Sequence, residues 1–112
     1  NNSMPTTYKV LGQSNPAATT ATSLYTVPSS TSTVVSSISI CNLASSSATY
    51  RIAVRPAGAS LANQHYLAYD VTVGASDTTI ITVGLTLATT DVITVYSSTA
   101  NLSFAAFGSE IS

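Results

Sequence analysis

Charge is the property that this sequence has least of. Only 6% of its 112 residues are Asp, Glu, Lys or Arg, whereas about a quarter is usual in soluble domains. The formal net charge is −1, so little electrostatic repulsion keeps copies of the chain apart. Three cations cannot form the basic surface that binds nucleic acid. We therefore expect no nucleic-acid partner, and a chain that assembles with its own copies or with another protein.

Cysteine and long apolar runs are scarce as well. The single Cys41 cannot form an internal disulfide, and within an apolar strand we expect it to be a small buried hydrophobic residue. No apolar run approaches the length of a membrane span, because Thr and Ser interrupt the longest ones. The opening segment, NNSMPTTYK, lacks the apolar core of a signal peptide. We expect no membrane partner, and a chain that either does not use that export route or has already lost its leader.

Hydroxyl side chains take the place of the missing charges. Ser and Thr make up about a third of the chain, well above average usage. Such a surface is hydrated without being charged, and its residues tolerate extended backbone. Two interpretations remain open at this point, a subunit that lives assembled and a soluble extracellular domain coated in hydroxyl groups.

Alternation of apolar and small polar residues predicts an all-β fold. The pattern has period two, which is typical of half-buried antiparallel strands. The predicted strands cover residues 6–13, 23–27, 34–41, 50–55, 64–73, 78–83, 91–96 and 101–107. We expect Gly84 to mark a bulge or bend and residues 85–90 to form a connection. About eight short strands predict one antiparallel β-sandwich, jelly-roll or immunoglobulin-like, over residues 1–112, with a loose segment at 1–5.

The third and fourth strands are predicted to form a hairpin at the centre of the sandwich. In the first of them Val34, Ile38 and Ile40 share one face, and in the second Tyr50, Ile52 and Val54 do. If both apolar faces are buried in one sheet, opposite positions must sum to an even number. The predicted register therefore pairs Ile40 with Ile52 and sets Cys41 opposite Arg51, with an odd-length loop between the strands.

No residue pattern indicates catalysis. His65 is the only histidine, and with a serine and one of Asp70, Asp77 or Asp91 it could form a hydrolytic triad. The sequence has no G-x-S-x-G motif, so we expect His65 to be a strand-edge or interface residue. One His, one Cys and four scattered acids supply too few ligands for a metal site. We predict no enzyme activity, no cofactor and no metal.

Two residue sets are candidates for contacts. Arg51 and Arg55 lie four apart on a strand, hence on one face, and could bind a carboxylate on a neighbouring subunit; a solvated sheet face explains them equally well. Tyr50, Tyr66 and Tyr69 could form a platform on which a sugar stacks, although tyrosines also fill cores with their hydroxyl groups in water.

Five stretches that contain no catalytic motif cover most of the chain. They are LGQSNPAATTATSLYTVPS (11–29), ISICN (38–42), TYRIAVRPAGASLANQHYLAYDV (49–71), GLTLATTDVITVYSSTANLSF (84–104) and FGSEIS (107–112). In these stretches the sequence resembles small virion structural proteins of tailed bacteriophages. The resemblance implies a non-enzymatic β-protein present in many copies on a particle, as a head decoration or cement protein or as a tail or fibre component.

The expected function is therefore that of a structural subunit located in the virion. Its expected partners are other copies of itself and other virion proteins. The alternative, from a different class, is a carbohydrate-binding module that attaches a particle or cell to a glycan. Exposed tyrosines would favour the alternative, and tyrosines in the core or at a subunit contact would favour the structural role.

Overall fold

The computed structural model describes residues 5–112, and in this part of the chain strands predominate. The strands are β1 Thr6–Ser14, β2 Thr22–Thr26, β3 Ser32–Asn42, β4 Ala48–Arg55, β5 Tyr66–Val73, β6 Thr78–Leu87, β7 Val92–Ser97 and β8 Leu102–Ile111. Two single turns of 3₁₀ helix, Pro56–Gly58 and Asn63–His65, lie between β4 and β5. Most of the predicted loose segment 1–5 falls outside the described residues.

Two antiparallel four-stranded sheets pack together as a β-sandwich, which confirms the predicted fold class. The strand order is β1-β8-β3-β6 in the first sheet and β2-β7-β4-β5 in the second. The first strand thus pairs with the eighth, the second with the seventh, the third with the sixth and the fourth with the fifth. This is one long antiparallel hairpin rolled into two sheets, the jelly-roll topology. An immunoglobulin sandwich keeps its first two strands in one sheet, and here they lie in different sheets.

The predicted hairpin between the third and fourth strands is wrong. β3 pairs with β6 and β8, whereas β4 pairs with β5 and β7. The segment that joins them therefore crosses from one sheet to the other, and Ile40 and Ile52 both belong to the core between the sheets. Burial of Ile38, Ile40, Tyr50 and Ile52 was predicted correctly. The prediction for Val34 is wrong, because the bulge between Val35 and Ser37 changes the alternation, so that Val35 is buried and Val34 lies on the outer face. Alternation, however, is satisfied equally well by two strands that pair and by two strands that face each other across a core.

The core lies between the two inner sheet faces. Its largest fully buried side chains include Phe104, Ile38 and Ile40 from the first sheet and Ile52 and Ile93 from the second, all 2% exposed or less. Alternate residues of each strand supply these side chains, because successive residues point to opposite faces of a sheet. The other residues of each strand are left to form the two outer faces, where the candidate sites lie.

Bulges modify several strands. Pairing between β3 and β6 shifts between Val35 and Ser37, opposite Val83 and Gly84, and Gly84 has a φ of 114°, as expected for a bulge at this glycine. Beyond it the strand continues to Leu87, so the prediction of a connection at 85–90 is wrong for its first half. The last strand also runs four residues further than predicted, to Ile111.

Candidate functional site

Arg51 is the centre of an aromatic cluster on the outer face of the second sheet. It projects from β4, directly opposite Tyr96 of the neighbouring β7. Its guanidinium carbon lies 4.1 Å from the ring centre of Tyr96 and 4.1 Å from that of Tyr69 on β5. Tyr66 packs edge-on against Tyr69, with ring centres 4.9 Å apart. The guanidinium group thus contacts two aromatic rings from two different strands, a favourable cation–π arrangement.

A β-bulge brings Asp70 into the same cluster. Tyr50 pairs with Val71 and Ile52 pairs with Ala68, so Arg51 alone stands opposite the two residues Tyr69 and Asp70. Asp70 has a φ of 52°, in the left-handed region that a non-glycine residue adopts at a cost of about 1–2 kcal/mol. In a regular strand adjacent residues point to opposite faces. Here the bulge places both Tyr69 and Asp70 next to Arg51.

Asp70 and Arg51 form an ion pair. Arg51 Nε donates to Asp70 Oδ1 at 2.6 Å, and the second guanidinium nitrogen donates to Oδ2 at 3.4 Å. The hydrogen bond to Asp70 raises the pKa of Arg51 further above its ordinary value. The pair is partly exposed, with 21% of the Arg51 side chain and 46% of the Asp70 side chain accessible. We define these five residues, Arg51, Tyr66, Tyr69, Asp70 and Tyr96, as the aromatic cluster.

Of the three tyrosines predicted to form a platform, the structure brings two together and separates the third. Tyr66 and Tyr69 lie together on the outer face, and Tyr69 is 56% exposed. Tyr50 points inward instead, is 2% exposed and packs edge-on against Phe104. Its place beside the other two is taken by Tyr96, which the prediction missed because the sequence alone does not place β7 next to β4.

Arg55 lies on the same outer face but takes part in a different set of contacts. Its Nε donates to the hydroxyl of Thr94 at 2.9 Å, and Nη1 donates to the carbonyls of Gly58 and Ala59 at 3.1 and 3.0 Å. The side chain therefore fastens the turn after β4 to the sheet. Both arginines predicted as subunit contacts thus have their principal hydrogen bonds within their own chain.

The remaining charged side chains also have partners within the chain. Lys9 lies 3.3 Å from Glu110, Asp77 accepts from a backbone N–H at 2.8 Å, and Asp91 accepts from two, both at 2.9 Å. None of the seven charged side chains counted in the sequence depends on a separate molecule for a partner.

The outer face of the first sheet carries no charged side chain. Cross-strand pairs, for example Tyr8 with Ser109 and Ser109 with Val34, place its residues on the side of the sheet away from the core. The residues on this face are Tyr8, Val10, Gln13, Val34, Ser37, Ser39, Cys41, Thr78, Ile80, Thr82, Thr86, Ser103, Ala105, Phe107 and Ser109. We call this surface the uncharged face. Tyr8 and Ile80 are 84% and 67% exposed, and Cys41 is half-buried there, so the expectation of a buried thiol is wrong.

A groove of about 440 Å³ crosses one end of the uncharged face. Its lining residues are Tyr8, Lys9, Val34, Ser36, Phe107, Gly108 and Ser109. Lys9 does not belong to the uncharged face but borders the groove, and its ammonium group is paired with Glu110 at 3.3 Å. Ser36, one of the lining residues, is the extra residue of the β3 bulge between Val35 and Ser37. A Cβ atom at Gly108 would collide with the carbonyl oxygen of Val34, so only glycine fits here. Tyr8 stands at the rim of the groove.

A second polar cluster joins the two sheets at one end of the sandwich. The Tyr25 hydroxyl donates to Glu110 Oε2 at 2.6 Å and lies 2.8 Å from the hydroxyl of the buried Thr33. Burial, followed by the bond to Glu110, raises the pKa of Tyr25 to about 12. The same hydrogen bond, with help from Lys9, lowers the pKa of Glu110. The Glu110 carboxylate thus has both of its oxygens bonded within the chain, one to Tyr25 and one to Lys9.

His65 lies in the second 3₁₀ turn, where its Nδ1 accepts a hydrogen bond from the backbone N–H of Ala62 at 3.0 Å. In residues 5–112 no serine or aspartate side chain hydrogen-bonds to it. Nor do three side chains of the types that bind metals come together anywhere in that range. Within the described chain, no helix has the length and hydropathy needed to cross a membrane.

No protein-family model matches the chain, and no curated protein matches it in sequence. The features of the chain that bear on its function are therefore its two outer surfaces, the aromatic cluster and the uncharged face.

Proposed function

We propose that this chain is a non-enzymatic structural subunit of a bacteriophage virion, present in many copies as a head decoration or cement protein or as a tail or fibre component. The observation that carries the proposal is the uncharged face. The sequence resemblance to virion structural proteins supports the same conclusion, as does the jelly-roll topology, which is common in capsid proteins.

The uncharged face has the chemistry of a subunit contact. Charged residues are depleted at the centres of protein interfaces, because burying them requires the loss of their hydration. Here none is present, and apolar groups such as Ile80 and Val10 are exposed to solvent instead. Burial of this surface against a partner would therefore be favourable without any complementary charge.

The size of the face also fits a contact. Four strands about 4.8 Å apart and about 30 Å long present roughly 600 Å² in projection. A standard interface buries about 800 Å² of accessible surface on each partner, and side chains make the accessible area larger than the projection. One sheet face is thus enough for a stable pairwise contact.

The partner on this face is a second copy of the chain. Contacts about a two-fold axis require one surface to contain both a projecting group and the recess that receives it. The uncharged face has both, since Tyr8 projects at the rim of a groove whose wall includes Phe107. The face itself is uncharged and Lys9 beside the groove is paired with Glu110, so two identical copies meet with little repulsion.

The function is tested by quantitative mass spectrometry of purified particles of the phage that encodes the chain. We expect many copies per particle. Absence of the chain from purified particles would overturn the proposal.

The contact is tested separately, by sedimentation velocity of the purified chain over a range of concentrations. We expect concentration-dependent self-association that Thr82→Lys weakens at least tenfold, because the ammonium group would have to be desolvated. Thr72→Lys is the matched control, since Thr72 is an exposed strand threonine on β5 of the other sheet, and it should leave association unchanged. A chain that remains monomeric at the highest concentration, or equal effects of the two substitutions, would contradict the assignment of this face.

A further inference from the structure

We propose that the aromatic cluster is a binding site for a neutral carbohydrate. This function goes beyond the subunit role, and the site lies on the opposite sheet from the uncharged face. The proposal is based on two groups, the Tyr69 ring and the Asp70 carboxylate. Both are accessible to solvent, and both are held in place by neighbouring side chains. Tyr69 is 56% exposed while its ring contacts Arg51 and Tyr66, and the Asp70 side chain is 46% exposed while it accepts two hydrogen bonds.

The site is preorganised. The guanidinium group of Arg51 lies against the Tyr69 ring and also pairs with Asp70, so one side chain holds both groups in place. The bulge with its left-handed Asp70 sets the two groups on the same side of the strand. Groups that are already ordered lose little conformational freedom when a ligand binds.

The available groups match a sugar ring. A pyranose has a face of C–H groups that packs on an aromatic ring and a rim of hydroxyl groups that bond to polar side chains. Tyr69 supplies the ring, and the carboxylate of Asp70 has lone pairs left to accept hydroxyl hydrogen bonds. The phenol groups of Tyr66 and Tyr96 can both donate and accept.

Charge selects a neutral ligand. The positive charge of Arg51 is matched by the negative charge of Asp70 at 2.6 Å, so the site has no surplus charge to attract an ion. The position over the aromatic rings that a ligand cation would occupy is already taken by Arg51.

The shape of the adjacent sheet edge disfavours a peptide. β5 is an edge strand, and extended peptides bind such edges by adding a further strand. Its pairing with β4 is irregular at two places, between Tyr50 and Ile52 and between Ile52 and Ala53. Bulges of this kind twist an edge away from regular pairing, which leaves the side-chain cluster as the binding element.

The test is native affinity electrophoresis of the full chain in gels that contain α-mannan, dextran, laminarin or arabinoxylan. We expect at least one of these neutral polysaccharides to retard the wild-type chain. Tyr69→Ala should weaken that retardation roughly tenfold, in line with the loss of one aromatic contact. Leu43→Ala is the control, because Leu43 is an apolar side chain that is 66% exposed and belongs to neither the aromatic cluster nor the uncharged face, and this variant should retain full retardation.

A measurement on the wild type tests the site even if the Tyr69→Ala variant does not fold. Oligosaccharides cut from the retarding polysaccharide should shift the NMR signals of the Tyr66, Tyr69 and Tyr96 rings and leave the Tyr8 ring unchanged. The proposal is overturned if no polysaccharide retards the chain, or if Tyr69→Ala is retarded like the wild type. It is also overturned if Tyr69→Ala changes only sedimentation, since the cluster would then be a protein contact. Particle copy number and wild-type sedimentation test the subunit role independently of these results.

Discussion

Replacing Tyr25 with Phe removes one hydroxyl group from the cluster that joins the two sheets. That hydroxyl donates to the Glu110 carboxylate at 2.6 Å and bonds to the Thr33 hydroxyl at 2.8 Å. A hydrogen bond to a charged group contributes about 1.5–3 kcal/mol, and a buried hydroxyl left without a partner costs about 1 kcal/mol or more. Because Thr33 is fully buried and Glu110 is only 16% exposed, water cannot easily replace the lost group. We expect Tyr25→Phe to lower the free energy of unfolding by about 2–4 kcal/mol at pH 7.

The pH dependence of this loss is the sharper test. The pKa of Glu110 is lowered in the folded chain, chiefly by the Tyr25 hydrogen bond. Its contribution to stability is therefore complete above the ordinary glutamate pKa and disappears as pH falls through the lowered folded value. The pKa of Tyr25 is raised to about 12, so its contribution is complete below the ordinary tyrosine pKa of about 10 and disappears as pH rises through 12. In the Tyr25→Phe variant, the free energy of unfolding should therefore fall less steeply with pH at both the acidic and the alkaline end.

Urea unfolding of the wild type and the variant at pH 3, 7 and 11 measures the effect. Tyr8→Phe is the control, because it removes the same hydroxyl from a ring that is 84% exposed, and its effect should stay within about 0.5 kcal/mol. A Tyr25→Phe loss as small as that of the control, or one that is the same at pH 3 as at pH 7, would refute the reasoning.

Two further predictions concern backbone contacts. Gly108→Ala should lower the free energy of unfolding by about 3 kcal/mol or more, or prevent folding, because the new Cβ atom would collide with the backbone carbonyl of Val34. Gly84 has a φ of 114° but open space around it, so Gly84→Ala should lower the free energy of unfolding by only about 1–2 kcal/mol. Equal losses for the two variants in urea unfolding would contradict this. Asn42→Ala should lower the free energy of unfolding by about 2–4 kcal/mol, because this buried amide donates to three carbonyls and accepts from one backbone N–H. Asn15→Ala, at an exposed residue that bonds to two carbonyls, should cost less in thermal or urea unfolding.

The sequence alone was sufficient to identify the kind of fold and the buried face of most strands. Ile38, Ile40 and Ile52 are buried as their alternation predicts, because a side-chain period of two assigns every residue of a strand to one of two faces. The scarcity of charge also indicated a largely uncharged surface, as found on the outer face of the first sheet. These properties depend on local pattern and composition, which a single chain displays directly.

Tertiary structure alone decided which strands are neighbours, and therefore which side chains meet. Alternation gives a strand its buried face but no partner, so β3 and β4 fitted a hairpin as well as they fit opposite sheets. Tyr96 reached Arg51 only because β7 pairs with β4, and Asp70 joined them only because a bulge adds one residue to β5. Such contacts join residues distant in sequence, and they are set by the packing of two sheets around one core.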